Sequence, residues 1–119
     1  MSSSPAMAGG FIGSAQAKTV PIDTAAAGDL TIFTPQVGTR FVCYALWFTA
    51  GGATSVTVKS GTNALTGPVP ASTTIPNEFK SAHPDLPYFK GRAKGEALIV
   101  NNSNAVQLSG AAIVGATHL

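Results

Sequence analysis

The sequence has few of the residues from which catalytic and metal sites are usually built. Its 119 residues include one cysteine and two histidines, and only 10% of them are charged, against about 25% in an average soluble domain. A single cysteine excludes an internal disulfide and a zinc site made of cysteines, so we expect a protein made in a reducing cytoplasm. No stretch approaches the roughly 20 apolar residues of a transmembrane helix, and the first residues lack the basic-then-apolar order of a signal peptide. We therefore expect a soluble protein that has no membrane partner.

The sequence also groups no recognisable set of catalytic residues. His83 lies in a His-Pro-Asp segment and His118 is the second-to-last residue. His83 and Asp85 offer two metal ligands, and two ligands without a third do not make a site. A nucleophile, a base and an orienting group are nowhere close together in the sequence. We predict that the protein is not an enzyme and uses no metal or cofactor.

Apolar residues, glycine and proline make up most of what is present. The chain is 45% hydrophobic and contains 13 glycines and 8 prolines. Its length suits one domain with one core. Because so few charges are available to cover the surface, and because exposed apolar patches usually mark contacts, we expect a homo-oligomer.

The segment from Thr39 to Thr49 (TRFVCYALWFT) is predicted to be the central strand of the fold. Side chains alternate between the two sides of a strand, and here both alternating sets are apolar: Phe41, Cys43, Ala45 and Trp47 on one side, Val42, Tyr44, Leu46 and Phe48 on the other. A strand with no solvated face has a core on one side and a partner chain or a second layer on the other. Its thiol is expected to be buried and inert.

The rest of the chain predicts an all-β fold without helices. About eight short strands are separated by turn residues at the spacing of a sandwich or barrel. The segment from Leu30 to Thr34 is expected to pair with the central strand because the connection is short. The residues Ala50-Gly51-Gly52-Ala53 predict a tight hairpin to the segment from Thr54 to Ser60. The predicted core comprises Val42, Trp47, Val56, Val58, Leu98 and Val106.

Two regions are predicted to lie outside regular strands. Residues 1–16, rich in Ser, Gly and Ala, form an N-terminal arm ahead of a sandwich domain over residues 17–119. The arm is either a disordered tail or a segment that orders on a neighbour through Phe11 and Ile12. Residues 71–87 carry Pro76, Pro84 and Pro87, which indicate a long surface connection of the kind that often has a function.

Aromatic and basic residues leave three interpretations open. The aromatic residues of the central strand favour a core and a subunit interface, while a sugar platform or a base-stacking face are alternatives. Tyr88 and Phe89 precede Lys90, Arg92 and Lys94. Since the basic residues form no run, no nucleic-acid partner is expected; a single-strand binder would use Arg92 and Lys94 and be salt-sensitive.

Four segments together resemble a family of small virion proteins of tailed phages. They are GDLTIFTP (Gly28–Pro35), TRFVCYALWFT (Thr39–Thr49), SVTVKSGTNALTGP (Ser55–Pro68) and PYFKGRAKGEALIVNNSNAVQLSG (Pro87–Gly110). The resemblance covers most of the chain from Gly28 onward, and its motifs are structural. It is to capsid decoration, or cement, proteins: jelly-roll β-sandwiches that bind the outer capsid surface as homotrimers and stabilise the shell by bridging neighbouring major capsid subunits. Similar sandwiches occur in phage tails and fibres, so the alternative is a tail or fibre module that binds carbohydrate or another tail protein.

The resemblance and the sequence pattern together lead us to predict two sets of contact residues and no cofactor. The predicted capsid contacts are Phe11, Ile12, Pro76, Phe79, Lys80, His83, Pro84 and Pro87. The predicted trimer interface consists of Phe41, Tyr44, Phe48, Tyr88 and Phe89.

Overall fold

A computed structural model describes residues 17–83 and 86–118, which form a sandwich of two antiparallel sheets. The strands are β1 (Lys18–Thr24), β2 (Gly28–Phe33), β3 (Arg40–Ala50), β4 (Thr54–Ser60), β5 (Asn63–Ala64), β6 (Val69–Ala71), β7 (Asn77–Lys80), β8 (Phe89–Lys90), β9 (Leu98–Asn102) and β10 (Leu108–Thr117). The predicted arm with Phe11 and Ile12, together with Pro84 and Asp85, lies outside the described residues. The predicted all-β sandwich is confirmed.

The strand order is that of a jelly roll. The first sheet has the order β1-β10-β3-β7, with β8 also pairing with β3, and the second sheet has the order β2-β9-β4-β5, with β6 also pairing with β4. If β5 with β6, and β7 with β8, are each counted as one interrupted edge strand, successive strands give two four-stranded sheets in the double Greek-key arrangement. The predicted number of about eight strands agrees with this count, although β7 lies in the segment that was predicted to be a long surface connection.

Two predicted pairings between neighbouring segments are wrong. β2 pairs with β9 and not with β3, and β3 and β4 lie in different sheets. Residues 51–53 thus cross from one sheet to the other; Gly51 N donates to Gln107 O at 2.8 Å. A left-handed glycine does form the two-residue turn between β4 and β5, where Gly61 has φ 58°. These short connections join strands of different sheets, because the apolar side chains of both sheets face one shared core.

A β-bulge at Tyr44 changes which side chains of β3 face the core. β10 residue Ile113 lies opposite Ala45 and the next residue, Val114, lies opposite Cys43, so Tyr44 is an extra residue on β3. An extra residue reverses the alternation of side chains beyond it. Phe41 and Cys43 face the core before the bulge and Leu46 and Phe48 face it afterwards. The two predicted faces of the central strand were therefore wrong beyond Tyr44.

The core lies between the sheets and draws on both. Its fully buried side chains include Ile22, Phe41, Cys43, Leu46, Phe48, Val56, Val58, Leu98, Val100, Leu108 and Val114. This confirms the core prediction for Val56, Val58 and Leu98. The prediction was wrong for Trp47, which is half-buried on the outer face of the first sheet, and for Val106, which lies in the turn before β10. Val42 is buried, but it faces outward on β3 and is not part of the core cluster.

One buried amide ties the second sheet together. Asn102 on β9 is fully buried; its Oδ1 accepts from Thr54 Oγ1 at 2.6 Å, and its Nδ2 donates to Val106 O at 2.9 Å and Ala26 O at 3.3 Å. A buried polar group left without partners costs about 1–3 kcal/mol. The three bonds thus fix the end of β9 to β4 and to two turns.

The proline-rich segment is not simply a long loop. It contains β7, which pairs with β3 so that Phe79 lies opposite Leu46 and Glu78 opposite Trp47. Phe79 packs against the core, and this burial accounts for a strand where the prolines had indicated irregular structure. β7 places polar side chains beside Trp47.

Candidate binding surface on the first sheet

The outer face of the first sheet is apolar at its centre. Cross-strand register places Trp47 between Ala111 on β10 and Glu78 on β7, and places Ala45 between Ile113 and Lys80. Trp47, Ala111 and Ile113 are half-buried, in contact with solvent along part of their surfaces. Two regions of different chemistry adjoin this centre along β3.

The first region, which we call the Trp47 pocket, lies between the second half of β3 and the start of β7. The pocket has a volume of about 350 Å³ and is lined by Trp47, Phe48, Thr49, Pro76, Asn77 and Glu78. The Asn77 side chain is held in place because its Nδ2 donates to Pro70 O at 3.1 Å and Ile75 O at 3.4 Å. The pocket is thus built mainly on two paired strands and presents an aromatic ring beside a carboxylate.

The second region, the cationic edge, gathers five of the chain's seven basic residues. Its members are Arg40, Lys80, Lys90, Arg92 and Lys94. Lys90 lies opposite Val42 and Lys80 opposite Ala45, roughly 10 Å apart along β3 at about 3.4 Å per residue. Bonds from Gly91 N to Phe41 O (2.9 Å) and from Gly95 N to Thr39 O (2.8 Å) hold the turn beside the start of β3.

The cations of this edge have no acidic partner among residues 17–83 and 86–118. The ion pair in those ranges joins Lys59 to Asp29 on the second sheet. Arg40 Nε is buried without a hydrogen-bond partner in the same part of the chain. A concentration of unpaired positive charge raises the electrostatic potential at the surface and attracts an acidic partner.

An aromatic cluster adjoins the cationic edge. The ring of Tyr88 lies 4.8 Å from that of Phe89, edge to face, and 5.5 Å from that of Phe79. Tyr88 N donates to Cys43 O at 2.8 Å, which anchors the segment to β3. Tyr88 is 50% exposed, so part of its ring is open to a partner.

The predicted trimer interface is only partly compatible with this arrangement. Phe41 and Phe48 are buried in the domain's own core, and Phe89 is 7% exposed. These three assignments were wrong, because a side chain enclosed by its own domain offers no area to a second subunit. Tyr44, half-buried at the bulge, and Tyr88 remain at the surface. The aromatic composition of β3 did not indicate which side each ring would face.

The predicted capsid contacts do not form one patch. Lys80 belongs to the cationic edge and Pro76 lines the Trp47 pocket; His83 is exposed and Pro87 half-buried. Phe79 is half-buried and packs against the core with part of its surface. Phe11, Ile12 and Pro84 lie outside the described residues.

Sequence reasoning missed four residues of these two regions. They are Arg40, Thr49, Asn77 and Glu78. The only available signal for Glu78 was the alternation of Asn77, Glu78, Phe79 and Lys80, which the surrounding prolines obscured. Arg40 lies near the start of the otherwise largely apolar segment from Thr39 to Thr49.

Two titratable groups outside the two regions, Cys43 and Asp29, have pKa values that their surroundings shift. Burial raises the pKa of the Cys43 thiol from the usual 9.0 to about 12, although its Sγ donates to Ala45 O at 3.2 Å. Hydrogen bonds from Asn101 and then Lys59 lower the pKa of Asp29. Within residues 17–83 and 86–118, no three His, Cys, Asp or Glu side chains are grouped to hold a metal ion.

No family model matches the sequence, and no curated protein is significantly similar to it. In the described part of the chain there is no helix with the length and apolar character needed to cross a membrane.

Proposed function

We propose that the chain is a structural virion protein of the capsid decoration, or cement, type. In this proposal it binds the outer surface of a tailed-phage capsid as a homotrimer and stabilises the shell by bridging neighbouring major capsid subunits. The proposal includes no catalytic step and no cofactor. Because a fold alone does not determine function, it depends on the surface chemistry and on the motif resemblance described above.

The observation that carries the proposal is the cationic edge. Its unpaired cations suit an acidic protein surface, since charge complementarity guides binding. In a threefold assembly each trimer would present three such edges. Simultaneous attachment then gives a much higher overall affinity than one contact provides.

In this proposal the trimer resists expansion of the capsid shell mechanically, without any chemical reaction. A trimer attached to adjacent capsid subunits has to be stretched or detached before those subunits separate. The jelly roll suits this role because its strands form an extensively hydrogen-bonded sandwich. The proposed setting is the virion, on the outer capsid surface.

The test is co-sedimentation with capsids of the phage whose genome carries this sequence. We expect the double variant Lys80→Gln/Lys90→Gln to bind at least tenfold more weakly than the unmodified chain. The matched control is Lys18→Gln/Lys59→Gln, which removes the same charge away from the cationic edge and should bind within about twofold. Equal weakening by both pairs, or by neither, would contradict the role of the edge.

The N-terminal arm is tested separately. Deletion of residues 1–15 should leave the sandwich folded and weaken capsid binding. Unchanged binding would contradict the arm's contribution, while leaving the cationic edge to be judged by the lysine variants.

A further inference from the structure

We propose that the Trp47 pocket is a binding site for a neutral saccharide. This inference is independent of capsid attachment, because it depends on the residues of the Trp47 pocket and not on those of the cationic edge. In a decoration protein, a site of this kind would allow the particle surface to hold a glycan.

The aromatic component is the indole ring of Trp47. This side chain is half-buried on the outer face of the first sheet, next to Ala111 and Glu78. No residue of the ranges 17–83 and 86–118 hydrogen-bonds to the indole N–H, so this donor is free for a ligand. The C–H face of a sugar ring is apolar and packs on an aromatic ring, while the indole N–H donates to a hydroxyl.

The polar component is supplied by the adjoining strand. Glu78 lies directly opposite Trp47 in the β3–β7 register, where Cβ atoms are about 4.5–5.5 Å apart. Its carboxylate forms no ion pair within the described chain, and two adjacent sugar hydroxyls can donate to its two oxygens. Thr49 and Asn77, also lining the pocket, add a hydroxyl and a side-chain carbonyl.

The size, rigidity and charge of the Trp47 pocket indicate which class of ligand it binds. A volume of about 350 Å³ is at the lower end of the range for small-molecule sites, about 300–1,000 Å³. Paired strands hold the site more precisely than loops do. Since none of the lining residues is a cation and one is an acid, a neutral sugar is favoured over a phosphorylated or carboxylated one.

The protein reports on this site directly, because Trp47 is its one tryptophan. The full chain is titrated with methyl mannoside, methyl galactoside, N-acetylglucosamine, cellotriose and maltotriose while tryptophan emission is recorded. Sialic acid and glucose 6-phosphate serve as the anionic comparison. We expect a saturable change in emission with at least one neutral sugar at millimolar concentration.

Two variants separate specific binding from general effects. Glu78→Gln, which keeps the shape of the side chain, should weaken the sugar at least fivefold. Val37→Ala, which truncates a 98% exposed side chain outside the pocket, should leave the affinity unchanged. Isothermal titration of Trp47→Phe should show at least threefold weaker binding, in a chain whose thermal midpoint is checked in parallel.

Three results would overturn the proposal. They are the absence of a saturable change with every neutral sugar, a response confined to the anionic sugars, and an affinity that Val37→Ala lowers but Glu78→Gln does not. Failure of the chain to bind capsids would not alter these readouts, so the two proposals stand or fall separately.

Discussion

The two outer faces of the sandwich differ in how their polar groups are satisfied. On the second sheet, Asp29 accepts from Lys59 Nζ at 3.1 and 3.2 Å and from Asn101 Nδ2 at 2.7 Å. On the first sheet, the lysines of the cationic edge and Glu78 have no such partners in the described chain. Trp47, opposite Glu78, is partly exposed. On the second sheet these polar groups bond to one another, whereas the first sheet presents polar groups that a partner can satisfy. A shared core and fold therefore leave the two faces with different roles.

The largest expected effect tests whether the aromatic residues of β3 belong to the core or to the surface. Phe48→Ala should lower the free energy of unfolding by about 3–5 kcal/mol, because it removes a fully buried ring. Urea denaturation of the isolated protein measures this. Val37→Ala is the control, since Val37 is 98% exposed, and it should change stability by less than about 0.5 kcal/mol. A loss below about 1 kcal/mol for Phe48→Ala would place that ring at an interface and not in the core.

The second prediction concerns Cys43, inside the first sheet. With its pKa raised to about 12, the thiolate fraction at pH 8 is about a thousandfold below that of an exposed cysteine. Iodoacetamide should therefore modify Cys43 at least a thousandfold more slowly in the native protein than in urea-unfolded protein. Rapid labelling under native conditions would mean that β3 is open to solvent.

How far the sequence predicts this fold depends on whether the relevant signal is local. The alternation of β4 and the doubly apolar character of β3 are local, and they identified Val56, Val58 and the central strand correctly. The bulge at Tyr44 depends on pairing with Ile113 and Val114 of β10, which are about 70 positions away in the sequence. No local pattern indicates that register, so Phe48 and Trp47 were assigned to the wrong sides.

The candidate surfaces were less predictable for the same reason. Lys90, Arg92 and Lys94 are close in sequence and were recognised as a group, whereas Arg40 and Lys80 join them only through strand pairing. Glu78 reaches Trp47 only because β7 forms at the edge of the sheet.

The third prediction tests the exposed aromatic ring of the first sheet. Tyr88→Ala should weaken self-association at least tenfold if Tyr88 anchors a subunit contact, since truncation of an anchor typically costs more than about 1 kcal/mol. Sedimentation velocity over a concentration series measures this. The domain's own stability should fall by only about 0.5–1.5 kcal/mol from the lost ring contacts. Unchanged association would remove Tyr88 from the proposed interface.

The smallest expected effect comes from the self-satisfied second sheet. The pKa of Asp29 is lowered in the folded protein, so its stabilising contribution is present above about pH 3.9, the usual value for aspartate, and is lost as the pH falls through the folded-state value. Because the pair is surface-exposed, Asp29→Asn should cost less than about 1 kcal/mol at pH 7. The urea midpoints of the two proteins should converge near pH 2. A difference that persists at that pH would contradict the assignment.

The most direct test of a partner-binding first sheet is the native mass of the purified protein, measured by light scattering at micromolar concentration. We predict a homotrimer with a mass near three times 12.0 kDa. A mass of 12.0 kDa at every concentration would contradict threefold assembly, and with it the proposed bridging of capsid subunits by a trimer.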